Sequence, residues 1–129
     1  LTGARRTPDF DPLPWVAFTD PQVAGTGLDE ARAVAAGIEV DSAELPVARW
    51  PRFRVAGISH GFLRLLRDRR TNRLVGARAV APEAGDLMTE ISLLIRRGVT
   101  VPEILALPYP YLTLSEGIQR CAMRFPPIV

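Results

Sequence analysis

Tyr111 and Glu116 set a phenol and a carboxylate five residues apart in the run Tyr109-Pro110-Tyr111-Leu112-Thr113-Leu114-Ser115-Glu116-Gly117. A free phenol titrates near pH 10, about three units too high for shuttling protons at neutral pH. The pair is therefore poorly suited to relaying protons. Pro108 and Pro110 cannot donate helix or ladder hydrogen bonds, so the approach to the pair is extended. Thr113 or Ser115 offers an oxygen to cap the helix that Glu116 enters, and a carboxylate in a first turn suits the helix dipole. A well-capped terminal helix accounts for the same residues without any chemistry, and these residues alone leave both readings open.

Other chemistries have fewer candidates. Cys121 is the single cysteine, so no disulfide framework and no thiolate cluster for a metal is available. It falls within the expected last helix and is read as a small buried hydrophobe. His60 is the single histidine, which removes a histidine metal site or a catalytic triad. Every basic residue is arginine, and the net charge of +2 is too weak for a strongly basic surface. One segment, Arg49-Trp50-Pro51-Arg52-Phe53-Arg54, interleaves arginines with aromatics in a way that suits stacked bases and phosphates. A loop or edge strand with one face buried explains it equally well.

Gly25-Thr26-Gly27 lies between a strand and a helix, the order of a dinucleotide-binding fingerprint. The third glycine's place is held by Glu30, whose charge would repel a pyrophosphate from the helix start. The helix is also short. These glycines read better as turn residues, with Asp29 as N-cap and Gly37 at the C-cap.

The elements that position these groups follow from period and punctuation. The 129 residues form one domain with a real core, and 47% hydrophobic with 23% charged residues is an ordinary globular balance. Residues 1–14 carry Pro8, Pro12 and Pro14 and read as an extended, linker-like lead-in to a domain spanning 15–129. No apolar run is long enough to span a bilayer, and residues 1–20 lack a signal peptide's order, so no membrane partner and a cytoplasmic location are expected. Trp15 to Thr19 reads as a short strand, 29–36 as a helix and Ile38 to Asp41 as a strand. Gly61 to Arg67 and Arg73 to Ala81 form the clearest hairpin, with Gly76 marking a bulge or a close backbone approach. Leu87, Met88, Ile91, Leu94 and Ile95 stripe a helix over 85–97, with Leu93 facing outward. Thr100 caps a short helix, and a final helix runs over 114–123. The order predicts an α+β domain: a mainly antiparallel sheet with helices packed on one face.

A set of short motifs then falls in a familiar order: Phe18-Thr19-Asp20-Pro21-Gln22-Val23-Ala24, Gly27-Leu28, Gly61-Phe62, Leu74-Val75-Gly76, Ala79 to Gly85, and Thr113-Leu114-Ser115-Glu116-Gly117. Together they resemble the C-terminal dimerisation domain of the pyridine nucleotide–disulfide oxidoreductases, the flavoenzyme family of dihydrolipoamide dehydrogenase and glutathione reductase. The resemblance covers roughly residues 15–125. It implies a homodimer that also packs on flavin and nicotinamide domains of a longer parent chain. FAD and NAD(P)H are implied as cofactors of that parent, with none bound by these residues alone, since no flavin or nicotinamide fingerprint and no redox-active cysteine pair is present. The proline-rich start fits a cut after the flavin-binding region.

Relatives that act on disulfides carry His-Pro-Thr before the glutamate, and the histidine serves the partner subunit's active site. Here Tyr111 holds the histidine position and Leu112 the proline position, while Thr113 and Glu116 match. The run Pro110-Tyr111-Leu112-Thr113 is instead similar to the mercury(II) reductase branch, which reduces Hg(II) to Hg(0) and in which the matching tyrosine lines the metal-ion site. Gln22-Val23-Ala24, Gly37-Ile38-Glu39 and Ala79 to Gly85 resemble that branch too. The resemblance implies that Tyr111 and Glu116 are presented to the partner's active site, that Leu112 and Thr113 contact its flavin, and that no metal is held here beyond Tyr111 as a lining residue. Mercury(II) reductases typically finish with a vicinal cysteine pair, whereas Pro126 to Val129 hold none. A family flavoenzyme with another small inorganic or thiol-linked substrate therefore stays open. So does a stand-alone homodimeric binding module without catalytic parts, while a nucleic-acid partner, resting on Arg49 to Arg54 only, is not expected.

Overall fold

The computed structural model describes residues 11–127. β1 (Trp15–Ala17), β2 (Gln22–Gly27), β3 (Val40–Pro46), β4 (Phe62–Asp68) and β5 (Leu74–Ala81) form one five-stranded sheet in the order β1-β2-β5-β4-β3. Every pairing is antiparallel. The register sets Leu63 between Leu45 and Ala79, and Leu65 between Ala43 and Ala77. All of these are buried, because side chains two apart on each strand share a face. Against that face pack α3 (Ala84–Arg96), through Leu87, Met88 and Ile91, and α5 (Glu116–Ala122), through Ile118 and Cys121. α4 (Val101–Ala106) adds Val101 and Ile104. This is the expected α+β domain. The opposite face carries Arg64 and Arg78, which bond to Glu30 and Asp29 at the start of α1 (Glu30–Ala35).

Several boundaries differ from the sequence reading. Gly25 to Gly27 read as turn residues in the sequence, yet they close β2, with Gly25 opposite Trp15. A Cβ there would stand 2.7 Å from the Trp15 ring, so glycine is the residue over which an indole can lie. Gly27, at φ +64°, does end the strand. Asp29 caps α1 by accepting the Arg32 N–H at 2.8 Å. The expected strand at Ile38 begins instead at Val40 and runs to Pro46.

The arginine–aromatic segment is neither loop nor strand. It is a 3₁₀ turn, Val47–Arg49, followed by α2 (Pro51–Val55), which starts with a proline in the first turn where no N–H is needed. Trp50 and Phe53 are both buried and meet edge to face at 4.9 Å, so their rings are not available to bases. Gly76 meets both expectations: the ladder slips between Leu66 and Arg67, and a Cβ on it would stand 1.9 Å from the Leu28 carbonyl oxygen.

Of the lead-in, residues 1–10 lie outside the described residues. Pro12 is buried and its carbonyl accepts the Ser92 hydroxyl at 2.9 Å, while Leu93 is exposed on α3.

Candidate functional site

The turn between α4 and α5 is built by its own side chains. The Thr113 hydroxyl donates to the Pro110 carbonyl at 2.8 Å and accepts the Glu116 N–H at 3.2 Å. The Thr113 hydroxyl therefore takes the first helical N–H while Ser115 occupies the N-cap position without a side-chain cap bond, and the helix starts at Glu116, two residues later than the sequence suggests. The Ser115 hydroxyl, the other candidate cap, donates to Glu90 Oε2 on α3. Trp50 Nε1–H donates to the Thr113 carbonyl at 3.4 Å. The turn is thus tied to the 3₁₀ turn before α2 and to α3.

Glu116 is only 6% exposed. Its Oε2 accepts the Leu112 N–H at 3.0 Å and its Oε1 accepts Arg120 Nε–H at 2.7 Å. A buried carboxylate so bonded carries no desolvation debt. It holds Leu112 at φ +61°, a left-handed backbone that leucine rarely adopts. That reversal places the preceding side chain, Tyr111, outward at 72% exposure. The phenol and carboxylate of the sequence reading are therefore joined through backbone: Glu116 shapes the turn, and Tyr111 is what the turn presents.

The Leu112 N–H and the Thr113 hydroxyl are both spent within the turn. What Leu112 can offer a flat ring is its half-buried side chain, not a donor. Tyr109, two residues before Tyr111, points inward. Its hydroxyl is buried without a partner among the described residues, and burial together with the charge of Glu90 pushes the phenol up to about 12. His60 lies exposed in the loop before β4. Cys121 is fully buried against the Ala43 and Leu63 carbonyls, and burial pushes its thiol up to about 12. Among the described residues no group of three His, Cys, Asp or Glu side chains converges to hold a metal.

Beside Tyr111 opens a groove of ≈ 490 Å³ lined by Pro51, Arg54, Val55, Tyr111 and Arg120. The sequence reading named Arg54 only within the arginine–aromatic segment, not beside Tyr111, and did not place Arg120 or Glu90 at the turn. The four-residue spacing of Glu116 and Arg120 was a visible signal for one of them. Nothing local marks Glu90, or Arg54 as a neighbour of Tyr111; they lie on α3 and α2.

The chain matches the pyridine nucleotide-disulphide oxidoreductase dimerisation domain over residues 13–122. Similar curated proteins are mercuric reductases from Shewanella putrefaciens, 41% identical over 97% of this chain and 22% of that protein, and from Streptomyces lividans, 37% identical over 97% and 26%. The chain thus spans about a quarter of the length of the relatives it matches. Among solved structures, LpdA from Mycobacterium tuberculosis matches with a TM-score of 0.80 at 27% identity, covering 87% of this chain and 24% of that one. The HOCl-induced flavoprotein disulfide reductase RclA from Escherichia coli matches with a TM-score of 0.85 at 24% identity over 95% and 28%, a likeness of fold. Tyr111 and the Glu116-clamped turn lie inside the matched span, and the chain belongs to the pyridine nucleotide-disulphide oxidoreductase dimerisation-domain family.

Proposed function

We propose that this chain is the dimerisation and active-site-completing domain of a cytoplasmic, FAD-dependent NAD(P)H oxidoreductase that reduces Hg(II) to Hg(0). The observation that carries the reading is an exposed phenol on a turn whose backbone a buried carboxylate holds in place. A side chain kept outward at the cost of a left-handed leucine is preorganised for something beyond its own chain. The mercuric reductase relatives supply the substrate class, and the homodimer supplies the place where Tyr111 arrives.

On this reading NAD(P)H and Hg(II) yield NAD(P)⁺, a proton and Hg(0), with the flavin supplying the path for the electron pair. The domain's residues do the positioning. Glu116 sets the turn, Tyr111 lines the partner's metal-ion site with its hydroxyl, and Leu112 and Thr113 meet the partner's flavin by packing. Tyr111→Phe in the parent enzyme is expected to lower turnover with Hg(II) by about tenfold or more while leaving flavin reduction by NADPH within about twofold. Equal loss in both steps, or none, removes Tyr111 from the substrate site.

A further inference from the structure

The groove beside Tyr111 carries charge that the turn itself does not use. Arg54 lies exposed on α2, and its guanidinium makes no hydrogen bond or ion pair among the described residues. Arg120 is anchored by its Nε–H on Glu116, and its terminal N–H groups make no other bond among the described residues. Glu116 offsets one guanidinium, so a surplus positive charge faces the groove. Its other walls are Pro51 and the 77% exposed side chain of Val55. A cationic end, an aliphatic wall and a phenol at the rim match a short aliphatic acid.

The planar guanidinium fork takes a carboxylate by paired N–H bonds. A soft metal ion in a thiol-rich solution travels as a thiolate complex. Resting on the Hg(II) reading above, we propose that this groove is a carboxylate subsite. Arg54 and Arg120 hold the carboxylate of a small thiol whose sulfur carries Hg(II) to Tyr111. The substrate is then an anionic bis-thiolate complex rather than the bare ion. On reduction both Hg–S bonds break: NAD(P)H and the bis-thiolate complex give NAD(P)⁺, Hg(0), one thiol and one thiolate, the carboxylate subsite releasing the freed thiol.

The test uses the full-length holoenzyme and two complexes of Hg(II), with 3-mercaptopropionate and with 2-mercaptoethanol. Wild type is expected to favour the carboxylate complex in kcat/KM by about tenfold, and Arg54→Gln to bring that ratio close to unity, with Arg54→Lys keeping part of it. Calorimetry with S-methyl-3-mercaptopropionate, which cannot exchange metal, is expected to show binding to wild type and none to Arg54→Gln. An unchanged ratio in the variant, or no binding of the thioether acid, overturns the subsite. So does a raised KM for NADPH, or a weaker dimer, with the ratio intact, since Arg54 would then serve the nicotinamide cofactor's phosphate or the subunit contact. If neither complex is turned over by wild type, the Hg(II) reading fails, and the calorimetric arm still decides the subsite.

Discussion

Gly117, the second residue of α5, lies so close to the Trp50 indole that a Cβ on it would stand 2.0 Å from the ring. The helix behind Tyr111 rests directly on an aromatic plate. Backbone-to-ring contact of this kind leaves no flexible side chain to give way.

Gly117→Ala is therefore expected to destabilise the domain by about 2–3 kcal/mol through overpacking. Thermal unfolding checks this, with Tm falling by roughly 10 °C. The same shift should loosen the Trp50 Nε1–Thr113 contact and alter the tryptophan emission. An unchanged Tm would mean that α5 slides off Trp50 at little cost.

Glu116→Ala leaves the Leu112 N–H without its acceptor and releases Arg120. A loss of about 2–3 kcal/mol is expected. Glu116→Gln keeps an acceptor for Leu112 and should cost roughly half as much. On the proposed function, the order of Hg(II) turnover in the parent enzyme should follow wild type, Gln, Ala. Equal turnover in all three would show that the clamp on Leu112 does not position Tyr111.

Arg67 is 4% exposed and donates to Asp41 Oδ2 at 2.9 Å and to the Pro126 carbonyl at 2.8 Å, tying the tail to the sheet. Burial raises the Asp41 carboxyl, but hydrogen bonds from Arg67 and Arg69 outweigh it and hold the group below its ordinary 3.8. A depressed folded pKa stabilises above the unfolded value and is lost as pH falls through the folded one. Asp41→Asn should therefore cost about 2–3 kcal/mol at pH 7. The difference from wild type should shrink below about pH 4, as urea titrations across pH 3–7 would show.

Cys121 is expected to stay unmodified by a thiol reagent in the native domain and to react fully once unfolded. Burial, not pairing, protects it. Labelling at native pH with mass detection checks this, and rapid native labelling would place the α5 face in solution.

What the sequence settled by itself is what local chemistry settles. The β4–β5 hairpin follows from alternation and turn residues, the α3 stripe from its spacing, and the Thr100 and Asp29 caps from polar residues set beside helix starts. The ordered family motifs likewise need no coordinates. The sequence missed β2, because Gly25 is a turn residue in isolation and becomes a strand residue only when Trp15 lies across it. It misread Arg49 to Arg54, because the burial of Trp50 depends on Gly117, far along the chain. Tertiary structure alone decided that Glu116 acts on Leu112 rather than on Tyr111, that Ser115 reaches Glu90, and that Arg54 joins Arg120 beside the phenol. Such pairings depend on how α2, α3 and α5 dock on one sheet face, and no local period encodes that docking.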